Sequence, residues 1–276
     1  MNINEVIKSR NNPTVKWAAS LADKKGRGAA RSFIAEGVKL TCEAITAGLP
    51  VTHIFIAEGK RNAVEGAIEE ALSDSSVAGV KIYLLSDEAF AKISTEKSPQ
   101  GVISVIKYLD FFYNIDIIYK EDFFLAQTER AIALCSVRDP SNLGSVIRSS
   151  VAFGVDHIIL SEDCADPYNP KTVRSAMGSL FRVKITRVRS IADFVSAAEA
   201  CGRRTLAAEL TEGAKSLSDI GIRSTDIVMI GNEGHGIPEE ISAMTSSSVY
   251  IPISKKTESL NAAVAAAIFM WEQSKN

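Results

Sequence analysis

The chain has 276 residues, of which 46% are hydrophobic and 23% charged, as in a globular protein with one large domain or two modest ones. Its net charge of −2 argues against nucleic-acid binding through charge alone. No apolar run reaches the roughly 20 residues that cross a bilayer, and the N-terminus lacks a signal-peptide core, so we expect a cytoplasmic protein without membrane association. The 4 cysteines have no CxxC spacing, so neither a disulfide framework nor a bound metal is expected.

The first forty residues carry a local excess of positive charge. Lys24, Lys25 and Arg27 are close together in this segment. A run of this kind is more often a solvated helix surface than a nucleic-acid contact, so charge by itself leaves both interpretations open.

Strand and helix patterns alternate along residues 1–107 and predict a small α/β domain. Strands are predicted at 51–57, 81–85 and 102–107, and Ser86 is placed to cap a short helix. Residues 108–128 are aromatic and irregular. We interpret them as the connection between two domains, although extra strands or a helix of either domain is an equally good interpretation. A second domain then occupies residues 129–276.

The segment 131–160 predicts a strand, a loop, a helix and another strand, which is a βαβ unit. Ser141 or Asn142 is placed to cap the helix, and Gly154 to end it. Because open α/β sheets bind ligands at the carboxyl ends of their strands, Asn142 and Arg148 become candidate site residues.

Two later segments carry weaker signals. Glycines at 231, 234 and 236 follow a predicted strand and allow the backbone to bend sharply and approach a ligand. Their order does not fit a dinucleotide fingerprint, and no GxxxxGK[ST] occurs, so a nucleotide-dependent dehydrogenase is disfavoured. On spacing alone, Ser259 and Asn261 begin the last helix, with Ser259 as its cap.

Together the three segments resemble, in order and spacing, the signatures of the SpoU branch of the SPOUT methyltransferases, also called the TrmH family. The signatures read Asn142-Leu143-Gly144 with Arg148, Gly231-Asn232-Glu233-Gly234 with Gly236, and Ile251-Pro252 with Ser259-Leu260-Asn261. One departure is Lys255, where the family commonly has glycine.

The N-terminal third resembles a known RNA-binding module. Its motifs are Ser9-Arg10-Asn11-Asn12-Pro13, Glu36-Gly37 and Ser98-Pro99-Gln100-Gly101. They look like the ribosomal-protein-like RNA-binding domain that precedes the catalytic domain in many 23S rRNA members of the family.

The resemblance implies an α/β fold: a C-terminal SPOUT domain with a parallel sheet and a C-terminal trefoil knot, preceded by a small α/β substrate-binding domain. It implies a homodimer whose active site is completed across the interface. The implied reaction is methyl transfer from S-adenosylmethionine to a ribose 2′-hydroxyl of structured RNA, with 23S rRNA favoured. A tRNA 2′-O-methyltransferase and a non-catalytic SPOUT-like RNA-binding protein, inactive through the change at Lys255, are the alternatives.

The same resemblance implies the site residues. The catalytic group comprises Arg148, Asn142, Glu233, Ser259 and Asn261. The cofactor-binding group comprises Gly231, Ile251, Leu260, Ala208 and Ile230. Arg148 takes the central role in the family, either as a base in an environment that favours its neutral form or as a group that positions an RNA phosphate, and the sequence leaves both open.

Overall fold

The computed structural model of the chain describes residues 3–109, 112–115, 129–232 and 234–275, with 112–115 described by their backbone alone. The chain forms two compact units. The first comprises Met1–Asp110 and Asp166–Phe181, and the second comprises Phe111–Ala165 and Arg182–Asn276. Residues 166–181, which we placed within the second domain, therefore pack with the first unit. The predicted domain boundaries at 107 and 129 stay predictions.

The elements alternate along the chain. The strands are β1 (Glu5–Ile7), β2 (Ser32–Glu36), β3 (Val51–Ala57), β4 (Lys81–Leu85), β5 (Val102–Lys107), β6 (Phe112–Ile115), β7 (Ala131–Leu134), β8 (His157–Ser161), β9 (Lys184–Val188), β10 (Thr205–Ala208), β11 (Lys215–Ser216), β12 (Ile227–Ile230) and β13 (Ser247–Tyr250). The helices are α1 (Pro13–Ser20), α2 (Lys24–Ala30), α3 (Val38–Thr46), α4 (Arg61–Ser73), α5 (Asp87–Ile93), α6 (Pro140–Ala152), α7 (Pro170–Ala176), α8 (Ile191–Ala200), α9 (Leu217–Ile220), α10 (Glu239–Ser242) and α11 (Ala262–Ser274).

A mixed sheet with strand order β1-β4-β3-β5-β2 forms the first unit. Strands β1, β4 and β3 are parallel, whereas β5 is antiparallel to both β3 and β2. Buried side chains from the sheet, including Phe55, and from α5, including Phe90, form one apolar core. The Ser86 hydroxyl accepts a hydrogen bond from the Ala89 amide, which confirms the predicted cap of α5.

Arg27 is not part of the solvated basic surface that its sequence context suggested. Its side chain is buried, and its guanidinium bonds Asp166 Oδ2 from Nη2 at 2.5 Å and from Nε at 3.1 Å. Its Nη1 donates to the Leu21 and Ala22 carbonyls. A buried charge needs such partners, so Arg27 anchors the 166–181 segment instead of facing solvent. Lys24 and Lys25 on the same helix are exposed.

An all-parallel sheet with strand order β11-β13-β10-β12-β7-β8-β9-β6 forms the second unit. Its central strand β7 is apolar and buried, as a parallel strand covered on both faces must be. The edge strand β6 comes from the stretch interpreted as a connection, and it agrees with the alternative of an additional strand. The remaining residues of that stretch, 110–111 and 116–128, lie outside the described residues.

Two helix starts differ from the prediction. Asp139 caps α6, because its Oδ1 accepts from the Ser141 and Asn142 amides at 2.6 and 3.1 Å. Pro140 suits the first helical position, so α6 begins earlier than its apolar pattern indicates. Asn261, not Ser259, caps α11 by accepting from the Ala263 amide at 3.0 Å.

The C-terminal helix is anchored to the sheet by a buried side chain. Gln273 Nε2 donates to the Asp226 carbonyl at 2.8 Å and to the Ala131 carbonyl at 3.3 Å, next to the starts of β12 and β7. The trefoil knot that the resemblance implies stays a prediction.

Three further features concern the described ranges alone. They contain no helix that is long and apolar enough to cross a membrane. They also contain no group of three or more His, Cys, Asp or Glu side chains that could hold a metal ion. Cys42, Cys135, Cys164 and Cys201 are free thiols.

His157 on β8 predicts an acid-sensitive step in stability. Burial lowers its pKa to about 4, against an opposing effect of Glu129. The unfolded chain therefore binds a proton more readily, and the free energy of unfolding should fall by up to about 3 kcal/mol as the pH drops from about 6.5 to 4. Urea denaturation at several pH values measures the free energy of unfolding as a function of pH. His157→Gln should abolish the fall below about pH 6.5, while replacement of the exposed His235 by Asn should preserve it. An unchanged slope in His157→Gln contradicts the assignment.

Candidate active site

The carboxyl ends of three neighbouring strands lie side by side in the parallel sheet. Ala208 of β10 is paired with Ile230 of β12 on one side and with Val249 of β13 on the other. The segments that follow these strands therefore meet at one edge of the sheet, where open α/β sheets bind ligands. A pocket opens there between the three segments and the start of α11.

All five residues predicted to bind the cofactor line this pocket. They are Ala208, Ile230, Gly231, Ile251 and Leu260. The alanines of α11 and Phe269 supply further apolar wall. The walls are thus largely apolar and include several short side chains, as is typical of pockets for small molecules.

Gly231 can only be glycine in this arrangement. A Cβ atom there would lie 2.3 Å from the Gly236 carbonyl carbon and 2.6 Å from the Ile237 amide nitrogen. The two backbone hydrogen bonds between Asn232 and Gly236 hold the loop closed at 3.1 and 2.8 Å. Gly236 also has a φ of 68°, which favours glycine. The glycines therefore build a tight loop against which a ligand can lie.

The side-chain amide of Asn232 stabilises this loop with both its oxygen and its nitrogen. Its Oδ1 accepts from the Gly234 amide at 2.8 Å, and its Nδ2 donates to the Ser136 carbonyl at 2.9 Å. The second bond ties the loop to the segment after β7. The predicted catalytic residue Glu233 lies outside the described residues.

Ser136 is held in turn by a network around Asp163. The Ser136 amide donates to Ser161 Oγ, Ser161 Oγ donates to Asp163 Oδ1, and Arg138 donates to Asp163 Oδ2, at 2.9, 2.7 and 2.7 Å. Partial burial raises the pKa of Asp163, but the hydrogen bonds from Arg138, Ser161 and Ser136 outweigh it and lower the pKa to about 2. Ser136 has a φ of 58°, so the network stabilises an unfavourable conformation beside the loop.

Two predicted catalytic residues are brought into contact. Asn261 Nδ2 donates to Asn142 Oδ1 at 3.0 Å, across 119 residues of sequence. The Asn261 Oδ1 is the helix cap, so its amide is already oriented by α11. Ser259 is exposed and lines the neighbouring pocket. The first and third sequence signatures therefore meet beside the pocket.

Arg148 is not brought into the pocket of its own chain. It is exposed on α6, six residues beyond Asn142, which corresponds to about 9 Å along a helix axis. Within the described ranges, no hydrogen bond or ion pair joins its guanidinium to another residue. The side chain is thus available to a substrate or to another molecule.

Sequence reasoning missed Glu209 and Tyr250, which also line the pocket. Each directly follows or ends one of the three strands whose carboxyl ends meet. The signal that could have found them is their position after a buried strand, but that signal requires knowing which strands are neighbours.

Comparison with known proteins defines the class. Residues 129–271 match the SpoU rRNA Methylase family, and residues 12–104 match the MRM3-like substrate binding domain. Since the first match covers more than half of the chain, the protein belongs to the SpoU rRNA methylase family, as its three signatures predict.

Characterised relatives align along nearly the whole chain. The 23S rRNA (guanosine(2553)-2′-O)-methyltransferase RlmP of Bacillus subtilis is 30% identical over 265 residues, which cover 96% of this chain and 97% of that protein. The 23S rRNA (uridine(2479)-2′-O)-methyltransferase of Streptomyces viridochromogenes is 30% identical over 271 residues, which cover 96% and 90%. The AdoMet-bound rRNA methyltransferase structure from Sinorhizobium meliloti has a TM-score of 0.80 and 29% identity, and the match covers 98% of this chain and 97% of that one.

Gly231→Ala should weaken binding of S-adenosylmethionine at least about tenfold, because the new methyl group collides with backbone that cannot yield without opening the loop. Gly234→Ala is the matched control, since among the described residues away from its chain neighbours its Cβ would meet only Asn232 Oδ1, at 3.4 Å, an ordinary contact. Calorimetric titration measures both affinities, and thermal unfolding checks the fold. Equal affinities in the two variants would show that the close approach at Gly231 does not shape the pocket.

Proposed function

We propose that this protein transfers the methyl group of S-adenosylmethionine to a ribose 2′-hydroxyl of 23S rRNA. The main structural support for this proposal is that the five expected cofactor residues line one pocket, next to the contact between Asn142 and Asn261. Family membership and two 23S rRNA 2′-O-methyltransferases aligned along the chain support the reaction and the substrate. We propose rRNA over tRNA because both of these relatives are named for rRNA nucleotides. A cytoplasmic location stays a prediction.

The lining of the pocket fits the chemistry of the cofactor. Gly231 and Gly236 can contribute only backbone to the wall, so peptide groups of the loop are available to a bound molecule. Gly231, Ile251 and Leu260 would hold the cofactor through such groups, while Ala208 and Ile230 contribute apolar wall. When bound, S-adenosylmethionine supplies a methyl group on a positively charged sulfur.

The residues around the pocket must orient the ribose and assist loss of its proton, because a neutral 2′-hydroxyl is a poor nucleophile. The contact between Asn142 and Asn261 holds two polar amides beside the pocket, because the chain neighbours of Asn261, Leu260 and Ala262, belong to the pocket wall. We assign them to positioning the nucleotide through hydrogen bonds, with Ser259 beside them. Glu233 belongs to this group by its place in the second signature.

Arg148 is assigned to the RNA. A guanidinium donates up to five hydrogen bonds, accepts none, and fits a phosphate in a bidentate manner. Its exposure on α6 leaves it available for that contact. We therefore favour Arg148 as a group that positions the RNA backbone near the reacting hydroxyl.

The first unit contributes RNA binding. Its match to a substrate binding domain supports this role, and the exposed Lys24 and Lys25 offer phosphate contacts that do not read sequence. Arg27 is excluded from that surface by its burial against Asp166.

A homodimer is the proposed assembly. Side chains of α6 and α11 form an open groove in which Val264 and Trp271 are 48% and 50% exposed. Val264, Ile268 and Trp271 follow one another at helical spacing, so α11 presents an apolar stripe outward. Covering this stripe with a second copy places α6 of each chain, and with it Arg148, near the partner.

The non-catalytic alternative is disfavoured by the position of Lys255. This residue is exposed and does not line the pocket, so the departure from the family pattern leaves the pocket walls unaltered.

Arg148→Ala should lower methylation of 23S rRNA at least about a hundredfold without changing cofactor affinity, because the lost contact is made by RNA alone. Tritium transfer to rRNA from a strain lacking this protein, followed by mapping of the 2′-O-methylated nucleotide, measures the reaction. Arg223→Ala, which replaces an exposed arginine that precedes β12 and lines neither the pocket nor the groove, is the control. Methylation at the unaltered rate in Arg148→Ala would remove Arg148 from the mechanism, and no transfer to rRNA by the unaltered protein would refute the proposed function.

Mixing Arg148→Ala with Gly231→Ala, at a cofactor concentration too low to fill the Gly231→Ala pocket, tests whether the site is completed between copies. Arg148→Ala retains the pocket, and Gly231→Ala retains Arg148, so a mixed dimer has one complete site only if Arg148 serves the partner's pocket. We expect the mixture to regain up to about a quarter of the unaltered activity, the share of complete sites after random assortment of the two chains. Light scattering should show dimers, and Val264→Glu should yield monomers. No recovery in a mixture that demonstrably contains mixed dimers would place Arg148 at its own pocket.

A further inference from the structure

Glu209 stands out in the pocket as a fixed charge without an assigned role. It follows β10 directly, and its amide donates to the Val249 carbonyl at 2.9 Å, which ties its backbone to β13. It lines the pocket next to Ala208 and is partly buried. Its backbone position is therefore set by the sheet itself.

The carboxylate of Glu209 is also held in place. Its Oε1 accepts hydrogen bonds from Ser242 and, at 2.7 Å, from Ser248, with Thr211 at 3.5 Å. These hydroxyls come from α10, β13 and the loop after β10. A carboxylate oriented by groups from three segments loses little freedom on ligand binding, so its charge is preorganised.

The charged side chains in the described part of the pocket wall are all acidic. Its ionisable lining residues are Glu209, Glu258 and Tyr250, and no Lys or Arg belongs to the wall as far as the chain is described. Glu258 is exposed and therefore screened by solvent, whereas Glu209 is shielded on one side by its neighbours. Such a pocket favours a cationic ligand over a neutral one of the same shape.

The two ligands expected in this pocket, the methyl donor and its demethylated product, differ in net charge. S-adenosylmethionine carries a positive sulfonium, whereas the product S-adenosylhomocysteine has a neutral sulfur and one methyl group fewer. Both share the ammonium, carboxylate, ribose and adenine. A fixed negative charge in the pocket therefore separates them by charge and not by hydrogen bonding.

We propose that Glu209 is a specificity-determining residue that favours the cationic cofactor over its neutral product, an inference that rests on the proposed function. Its carboxylate attracts the sulfonium form across the largely apolar pocket. Once the positive charge is gone, the attraction is lost and the product is released more easily.

The test is calorimetric binding of both ligands to the full chain. Glu209→Gln keeps the size and the hydrogen-bonding oxygen but removes the charge, and it should weaken S-adenosylmethionine about tenfold while changing S-adenosylhomocysteine less than about threefold. Glu209→Asp retains the charge and should retain most of the preference. Glu212→Gln, an exposed residue of the same loop that does not line the pocket, is the matched control and should leave both affinities unchanged.

The outcomes separate the two proposals. Equal weakening of both ligands in Glu209→Gln, or no weakening of either, overturns the role of the charge while leaving the proposed function intact. A failure of the unaltered protein to bind S-adenosylmethionine overturns the proposed function and this role with it. Thermal unfolding of each variant without ligand verifies that the affinities refer to folded protein.

Discussion

The site depends on the parallel pairing of β10 with its two neighbours, β12 and β13, in a register that aligns the ends of the three strands. Ala208, Ile230 and Val249 stand in one line across the sheet because each pair of neighbouring strands is in parallel register. Parallel strands are joined by crossover connections, so each strand delivers its following loop to the same edge. The glycine loop, the segment at Ile251 and the loop that begins with Glu209 share a pocket for that reason alone.

Several polar residues at this edge of the sheet hold the local backbone in place and also lie at the predicted site. Asn261 caps α11 with one end of its amide and contacts Asn142 with the other. Asn232 closes the glycine loop and ties it to Ser136. An amide that is fixed by the backbone in this way presents its remaining polar group in one orientation, which a freely rotating side chain does not. The residues of the signatures thus serve the loop geometry as well as the ligand.

Charge behaves differently in the two units. In the first unit Arg27 is withdrawn into the interior by Asp166, although its neighbours Lys24 and Lys25 are exposed. In the second unit Arg148 remains exposed, and the pocket wall carries carboxylates. The number of charged residues in a sequence segment therefore predicts neither the basic surface of the first unit nor the charge of the pocket in the second. Both depend on which charged side chains are buried against a partner and which remain exposed.

The sequence by itself determined the elements whose signals are local, and the family. The strands at 51–57, 81–85 and 102–107 were predicted with the bounds that the structure has, and Ser86 was predicted as a cap, because short apolar runs and capping residues are signals that extend over a few positions. The spacing of the three signatures repeats that of a known family, and the resemblance to that family named the five predicted cofactor residues that line the pocket.

Tertiary structure decided what depends on partners distant in the chain. The ion pair between Arg27 and Asp166 spans 139 residues, and the contact between Asn142 and Asn261 spans 119. The packing of residues 166–181 with the first unit and the place of Glu209 in the pocket likewise follow from which segments become neighbours. Burial and strand order are properties of the folded chain, and no local pattern encodes them.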